Sequence, residues 1–270
     1  MLEAVPNVSE GRDRSAIDAI GRAFSRSARL LDVHADPDHH RSVFTLVGGD
    51  DELVESLLAG TVRALELIDL RRHDGVHPRV GAVDVVPLVP IVPADMAAAK
   101  RAAVALARRM GEELGVPVFL YGEVGEGRRP AFFRHGGLEG LSRRLEAREL
   151  EPAAGPRRVD PRSGAVLVGA RRPLVAYNVE LETDDLELAR SIATVVRESG
   201  GGMAGVQAIG LCLPRSGRIQ VSMNVVDLDR APLHEVVGRV TREAASRGVA
   251  VAGGELVGLV PERVLDSAKS

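Results

Sequence analysis

Val206-Gln207-Ala208-Ile209-Gly210-Leu211-Cys212-Leu213 is followed by Pro214-Arg215-Ser216-Gly217 and then by Arg218-Ile219-Gln220-Val221-Ser222-Met223-Asn224-Val225-Val226. The four linking residues include proline and glycine, which close turns readily, so the stretch predicts two adjacent strands. In the second strand Ile219, Val221, Met223 and Val225 alternate with Gln220, Ser222 and Asn224. Successive strand side chains point to opposite faces, so this pattern predicts a sheet covered by helices on one face only. Outward from the hairpin, 174–181 reads as a strand and 184–198 as a helix with Leu188, Ile192, Val195 and Val196 on one face. Residues 232–247 read as a helix with Leu233, Val236, Val237 and Val240 in phase, and 249–259 as a closing strand. The order is β-α-β-β-α-β.

The first half repeats that order. An apolar opening segment precedes a helix at 15–25 with Ile17, Ile20 and Phe24 on one face. Strands at 29–35 and 42–47 flank Asp36-Pro37-Asp38-His39-His40, which is rich in turn formers. Asp50 and Asp51 then stand where a helix cap belongs, ahead of Val54, Leu57, Leu58, Leu65 and Ile68, and 80–90 reads as a strand. An extension supplies helices at 96–114 and 138–150, a strand at 116–122 and an irregular loop at 151–164. The expected fold is therefore α+β, with two ferredoxin-like (βαββαβ) subdomains at 1–170 and 171–270. The hinge falls at Gly169-Ala170-Arg171-Arg172-Pro173. The polar faces, carrying Asn178, Glu180 and Asn224, are either solvated or turned toward each other across a ligand cleft.

Composition narrows the function. The 270 residues carry 35 basic and 38 acidic side chains, so no bulk positive charge is available for a nucleic-acid partner. Cys212 is the one cysteine, which excludes an internal disulfide and fits a reducing compartment. No apolar run approaches the ~20 residues that span a bilayer, and the N-terminus lacks a signal-peptide pattern. A soluble cytoplasmic protein without a membrane partner is expected. Lysine occurs only as Lys100 and Lys269, and only seven residues are Phe or Tyr. Arginine, backbone and aliphatic groups must therefore hold most of any ligand.

Five of the seven histidines precede residue 78. The run His34-x-Asp36-x-Asp38-His39-His40 has metal-binding residue types, but its spacing matches no metal motif and Asp-Pro-Asp is foremost a turn former. Arg72-His73-Asp74-Gly75-Val76-His77-Pro78-Arg79-Val80-Gly81-Ala82-Val83-Asp84 is a richer segment. Imidazole is the natural acid and base near neutral pH, and Pro78 holds His77 out of the helical region. On residues alone, His77 is either catalytic or a surface histidine. The glycines at 200–202 follow a helix and precede a strand, the reverse of a dinucleotide-binding fingerprint. They serve either a helix cap or close approach of a ligand.

Val5-Pro6-Asn7-Val8-Ser9-Glu10-Gly11-Arg12, Asp36-Pro37-Asp38-His39-His40-Arg41-Ser42-Val43-Phe44, Gly75-Val76-His77-Pro78-Arg79-Val80-Gly81-Ala82-Val83-Asp84 and Glu255-Leu256-Val257-Gly258-Leu259-Val260-Pro261 together resemble the glutamate formimidoyltransferase family. Val8 stands where that family often has Phe. The resemblance implies transfer of a formimino group from N-formimino-L-glutamate to N5 of tetrahydrofolate, with His77 as general acid and base. It implies folate contacts from Gly155-Pro156-Arg157-Arg158-Val159-Asp160-Pro161-Arg162-Ser163-Gly164 and from Gly201-Gly202-Met203-Ala204-Gly205-Val206-Gln207-Ala208-Ile209-Gly210. Arg79, Arg171, Asp84, His34, Asn178 and Asn224 are candidates for the substrate, and Tyr121 and Tyr177 for the pterin ring. Tetrahydrofolate would be a co-substrate, no metal is expected, and a homodimer is implied. Two alternatives stand beside this reading. One is a 5-formyltetrahydrofolate–glutamate formyltransferase on the same site, and the other a non-catalytic folate-binding protein.

Overall fold

The computed structural model of the chain describes residues 1–260. Pro261, which ends the last motif of the resemblance, and the remainder of the expected second subdomain lie outside the described residues. The chain divides into two compact units, the first Met1–Arg172 and the second starting at Pro173. The protein is mixed α and β, with one sheet in each unit. No helix among the described residues is long and apolar enough to cross a membrane.

The first unit opens with β1 (Leu2–Ala4) and β2 (Asn7–Val8), the two halves of one strand path. Pro6 divides them because it has no N–H for the ladder; its carbonyl instead accepts from the Phe44 N–H at 3.0 Å. Then come α1 (Arg14–Phe24), β3 (Arg29–Asp36), β4 (Arg41–Gly48), α2 (Asp50–Leu67) and β5 (Val83–Pro90). Both β1 and β2 lie between β4 and β5, and β3 pairs with the far side of β4, all antiparallel. The extension adds α3 (Met96–Leu114), β6 (Val118–Gly122), α4 (Pro130–Arg134), α5 (Gly137–Glu146) and β7 (Val166–Ala170). Strand β7 inserts between β5 and β6, parallel to both, and completes a seven-stranded sheet.

Helices α1, α2 and α3 cover one face of this sheet. Their core holds Phe24, Phe44, Leu53, Leu57, Leu88, Leu106 and Met110. The alanines of α3 (Ala99, Ala102, Ala103 and Ala107) let that helix sit close to the sheet. Gly60 is required inside α2, since a Cβ there would lie 2.0 Å from the Phe24 ring. The sequence predicts one covered face, but the extension also covers part of the other. Phe133, Leu141, Leu145 and Val159 pack on Val85, Phe119, Tyr121 and Leu167 of β5, β6 and β7.

The second unit runs β8 (Val175–Leu181), α6 (Leu186–Val196), β9 (Val206–Leu213), β10 (Arg218–Val225), α7 (Leu233–Ala245) and β11 (Val251–Val257). The sheet order is β11-β8-β10-β9, antiparallel throughout. Both helices bury one face on Val179, Val221 and Val225 through Ile192, Val196, Val236 and Val240. On the other face Asn178 stands opposite Ser222 and Glu255, Gln220 opposite Glu180, and Asn224 opposite Gln207.

Candidate active site

The loop carrying His77 is held from three directions. Arg79 folds back on it, donating from Nη1 to the carbonyls of Gly75 (2.7 Å) and His77 (3.1 Å) and from Nη2 to that of His73 (3.0 Å). His73 donates from Nε2 to the His40 carbonyl at 2.7 Å and accepts the Gly75 N–H at Nδ1. The His40 and His73 rings stack with centroids 4.2 Å apart, and His40 Nδ1 accepts the Gly11 N–H at 3.1 Å. Gly75 passes so close to the β3–β4 turn that a Cβ would lie 2.2 Å from the His39 carbonyl oxygen. Each imidazole here uses a lone pair as an acceptor, so both belong to the network as neutral rings. Burial, then the Arg79 charge, lowers His73 to about 4, and burial also lowers His40 against the pull of Glu10.

His77 is half-buried at the centre. Arg41, the first residue of β4, donates from Nη1 to His77 Nε2 at 2.8 Å. A guanidinium has no lone pair to offer, so Nε2 is the accepting nitrogen and the ring proton resides on Nδ1, hydrogen-bonded to the Pro78 backbone. Burial, then the charges of Arg41, Arg134 and His39, hold His77 well below the ordinary imidazole range. The residue is a neutral base at pH 7. His39 meets it edge to face at 5.9 Å, its own Nδ1 2.6 Å from Asp36 Oδ2. Burial opposes ionisation of Asp36, but the bonds from His39 and the Asp38 N–H bring it down to about 2. Asp84 accepts the Val80 N–H at 2.7 Å and pairs with Arg134 of α4. A pocket of about 320 Å³ opens beside this group, lined among others by Leu70, Val76, His77, Arg79 and Leu138.

A family model for the N-terminal subdomain of the formiminotransferase domain matches residues 1–171, and one for the formiminotransferase domain matches 176–270. The chain belongs to the formiminotransferase family. It is 39% identical over 271 residues to a glutamate formimidoyltransferase of Streptococcus pyogenes serotype M1, covering 98% of this chain and 90% of that one. It is also 39% identical over 274 residues to a glutamate formimidoyltransferase of Thermoplasma acidophilum, covering 98% and 89%. With the formimidoyltransferase-cyclodeaminase of Gallus gallus it shares 43% over 282 residues. That match takes in 100% of this chain but 52% of the relative, about half its length.

In the first unit of this formiminotransferase chain the residues singled out by sequence have different partners. His77 and Asp84 belong to the histidine group. Arg79 borders the pocket, yet its guanidinium is turned onto loop carbonyls. Arg171 bonds Tyr121 and interacts with Glu3, and Tyr121, within reach of the Arg134 and Asp84 charges, is driven up to about 12 by burial despite the Arg171 charge. His34 lies on β3 opposite Val43. In the loop 155–164, Val159 is buried, while Arg162 donates to the Glu66 carbonyl at 3.0 Å and Arg157 pairs with Glu151 at 2.7 Å.

In the second unit Asn178 is buried and bonds Glu255 at 3.1 Å, whereas Asn224 is exposed. The glycines there have packing reasons of their own. A Cβ at Gly200 or Gly202 would meet carbonyl oxygens of α6 at 1.9 Å and 2.4 Å, and Gly201 has φ +83°. Tyr177 is corrected: it alternates with Ala176 and Asn178 toward the helices, and a Cβ on Gly254 would lie 2.2 Å from its hydroxyl. Its ring belongs to the core rather than to a ligand face.

Arg41 and Arg134 are members of the candidate site that the sequence does not single out, and Asp36 and His39 stand out there only as metal-binding residue types in a turn. Asp36 also accepts the Asp38 and His39 N–H groups, which is the turn chemistry of Asp-Pro-Asp. Arg41 had a legible signal, since it lies inside the quoted motif directly after His40. Arg134 had none, because it reaches Asp84 across 50 residues.

Proposed function

We propose that the chain transfers the formimino group of N-formimino-L-glutamate to N5 of tetrahydrofolate, with His77 as the general acid and base. The observation that carries this reading is the accepting Nε2 of a neutral His77, in a chain 39% identical to glutamate formimidoyltransferases. N5 attacks the amidine carbon, and the resulting tetrahedral adduct collapses with loss of the glutamate nitrogen. One proton must leave N5 and one must reach the departing nitrogen. A single imidazole takes the first and returns it to the second, so it ends the cycle neutral, as it began. Holding both substrates against that imidazole supplies much of the remaining acceleration. Tetrahydrofolate is then a co-substrate, and both partners are small molecules.

The finer arrangement belongs to the same proposal. The strand order β11-β8-β10-β9 with two helices on one face supports a ferredoxin-like plan, and two such subdomains at 1–170 and 171–270 belong to the proposal. Segments 155–164 and 201–210 are proposed to hold the folate, with Arg171, Asn178, Asn224 and His34 as further polar contacts. Arg79 acts through the loop that it braces. A homodimer working in the cytoplasm completes the reading. The test is turnover of N-formimino-L-glutamate with tetrahydrofolate by the purified chain, alongside N-formyl-L-glutamate. The first donor is expected to react, with His77→Gln lowering kcat by roughly 10²-fold or more while folate affinity is kept. A folded chain that turns over neither donor overturns it.

A further inference from the structure

We propose that Arg41 is the receptor for the α-carboxylate of the acidic donor, and that its docking there releases the Nε2 lone pair of His77. This rests on the reading of His77 as acid and base. Around His77, apart from Arg79 with its donors on loop carbonyls, stand two guanidiniums and two carboxylates, but they are not matched evenly. Asp84 pairs with Arg134, and Asp36 with His39. Among the described residues Arg41 has no carboxylate within ion-pair distance, and its hydrogen bond goes to a neutral imidazole nitrogen. It is nevertheless part-buried, and burial followed by the nearby Arg134 charge lowers it to about 10 against the pull of Asp84 and Asp36. A guanidinium drawn out of water is best satisfied by a carboxylate paired with it directly, and Asp84 and Asp36 are engaged by Arg134 and His39, so the place selects a further anion. The planar fork of arginine suits a carboxylate in particular.

The covalent structure of the donor fits the spacing. In an N-acylated amino acid the nitrogen that must leave is attached to the carbon that bears the α-carboxylate. A carboxylate on Arg41, whose Nη1 is 2.8 Å from His77 Nε2, therefore places that nitrogen beside the base. Before binding, the Arg41 N–H occupies the lone pair that has to accept a proton. A carboxylate is the stronger acceptor for a guanidinium. Substrate binding thus turns Arg41 away and frees the base only when the acidic partner is present.

The experiment uses the full chain labelled with ¹⁵N-histidine and titrates N-acetyl-L-glutamate, a donor analogue that cannot transfer a formimino group. Its α-amide is the control, and the His77 resonance is assigned by its loss in His77→Gln. The expected result is a saturable shift of the His77 Nε2 signal with the acid, none with the amide, and none in Arg41→Gln. Kinetically, Arg41→Gln raises KM for the donor by about 10²-fold with KM for tetrahydrofolate within roughly 3-fold, and Arg41→Lys recovers part of the loss. An equal response to the α-amide, an unchanged donor KM, or a rise confined to the folate KM overturns the assignment. Should wild-type chain show the Arg41-dependent shift but no turnover, the transfer reading fails and the carboxylate site stands. Turnover without that shift has the opposite meaning.

Discussion

The carboxylate of Asp84, only 2% exposed, accepts the backbone N–H of Val80 at 2.7 Å and holds Arg134 with its second oxygen. One side chain of β5 thus fixes both the end of the histidine loop and the guanidinium of α4. Replacing it with Asn keeps the shape but leaves Arg134 without its counter-ion. Breaking a buried pair by removing one partner costs about 3–5 kcal/mol, so Asp84→Asn is expected to lose roughly that much stability in urea unfolding. A loss below about 1 kcal/mol would show that the pair behaves like an exposed one.

Acid should loosen the same region. His73 is held at about 4 in the folded protein against about 6.5 for a free imidazole, so the unfolded chain binds its proton first as pH falls. Its contribution to stability is whole above about 6.5 and declines through the window down to about 4, where it levels off. Unfolding free energy followed across pH 7 to 4 should decline less steeply in His73→Phe, by close to one proton in the slope. Equal slopes in the two proteins would count against a neutral His73.

Asp36 acts in the same direction at lower pH. Lowered to about 2, it stabilises the fold at pH values above the ordinary carboxylate value of 3.8, and that contribution is lost as pH falls through about 2. Asp36→Asn should therefore flatten the stability curve below pH 4 and leave the His73 window unchanged. Acid unfolding monitored by circular dichroism separates the two windows.

Gly75→Ala probes the loop's approach to the turn. The new methyl would lie 2.2 Å from the His39 carbonyl oxygen, and backbone cannot yield as a flexible side chain does. The loop must move as a unit, and a displacement of about 1 Å at a catalytic group costs on the order of 10²-fold in rate. A folded variant with unchanged kcat would show that the His77 position is not set by this contact.

Inside α2, Gly60→Ala would place a methyl 2.0 Å from the Phe24 ring, and overpacking of this kind costs about 1–3 kcal/mol. Phe24→Leu alone leaves a cavity, whereas the double variant should recover part of both losses. Strict additivity in thermal unfolding would contradict direct contact.

Much of the architecture is legible locally. The 206–226 hairpin emerges as β9 and β10, and the helix expected at 96–114 as α3 (Met96–Leu114). Faces are legible too, because the alternation of Ile219 with Gln220 is a property of the strand itself. Strand β7 is not. Val166-Leu167-Val168-Gly169-Ala170 is buried on both sides between β5 and β6, so it carries no alternation, and the sequence reading placed a hinge at its end. Likewise the helices were expected on one face alone, because a covering such as Phe133 on Phe119 arises only once the extension folds back.

At the site, His77 could be singled out from its loop, with Asp84 close behind in the same motif. Partnership could not. Arg79 stands in sequence as a candidate for the substrate, whereas three carbonyls of its own loop take its donors once that loop closes. Arg41 reaches His77 across 36 residues, and Arg134 reaches Asp84 across 50. Side-chain period and turn chemistry are written along the chain, so the elements and their faces follow from sequence alone. Which arginine is satisfied by backbone, which by a carboxylate, and which is left with an imidazole depends on distances between segments remote in sequence, and only the closed sheet sets those.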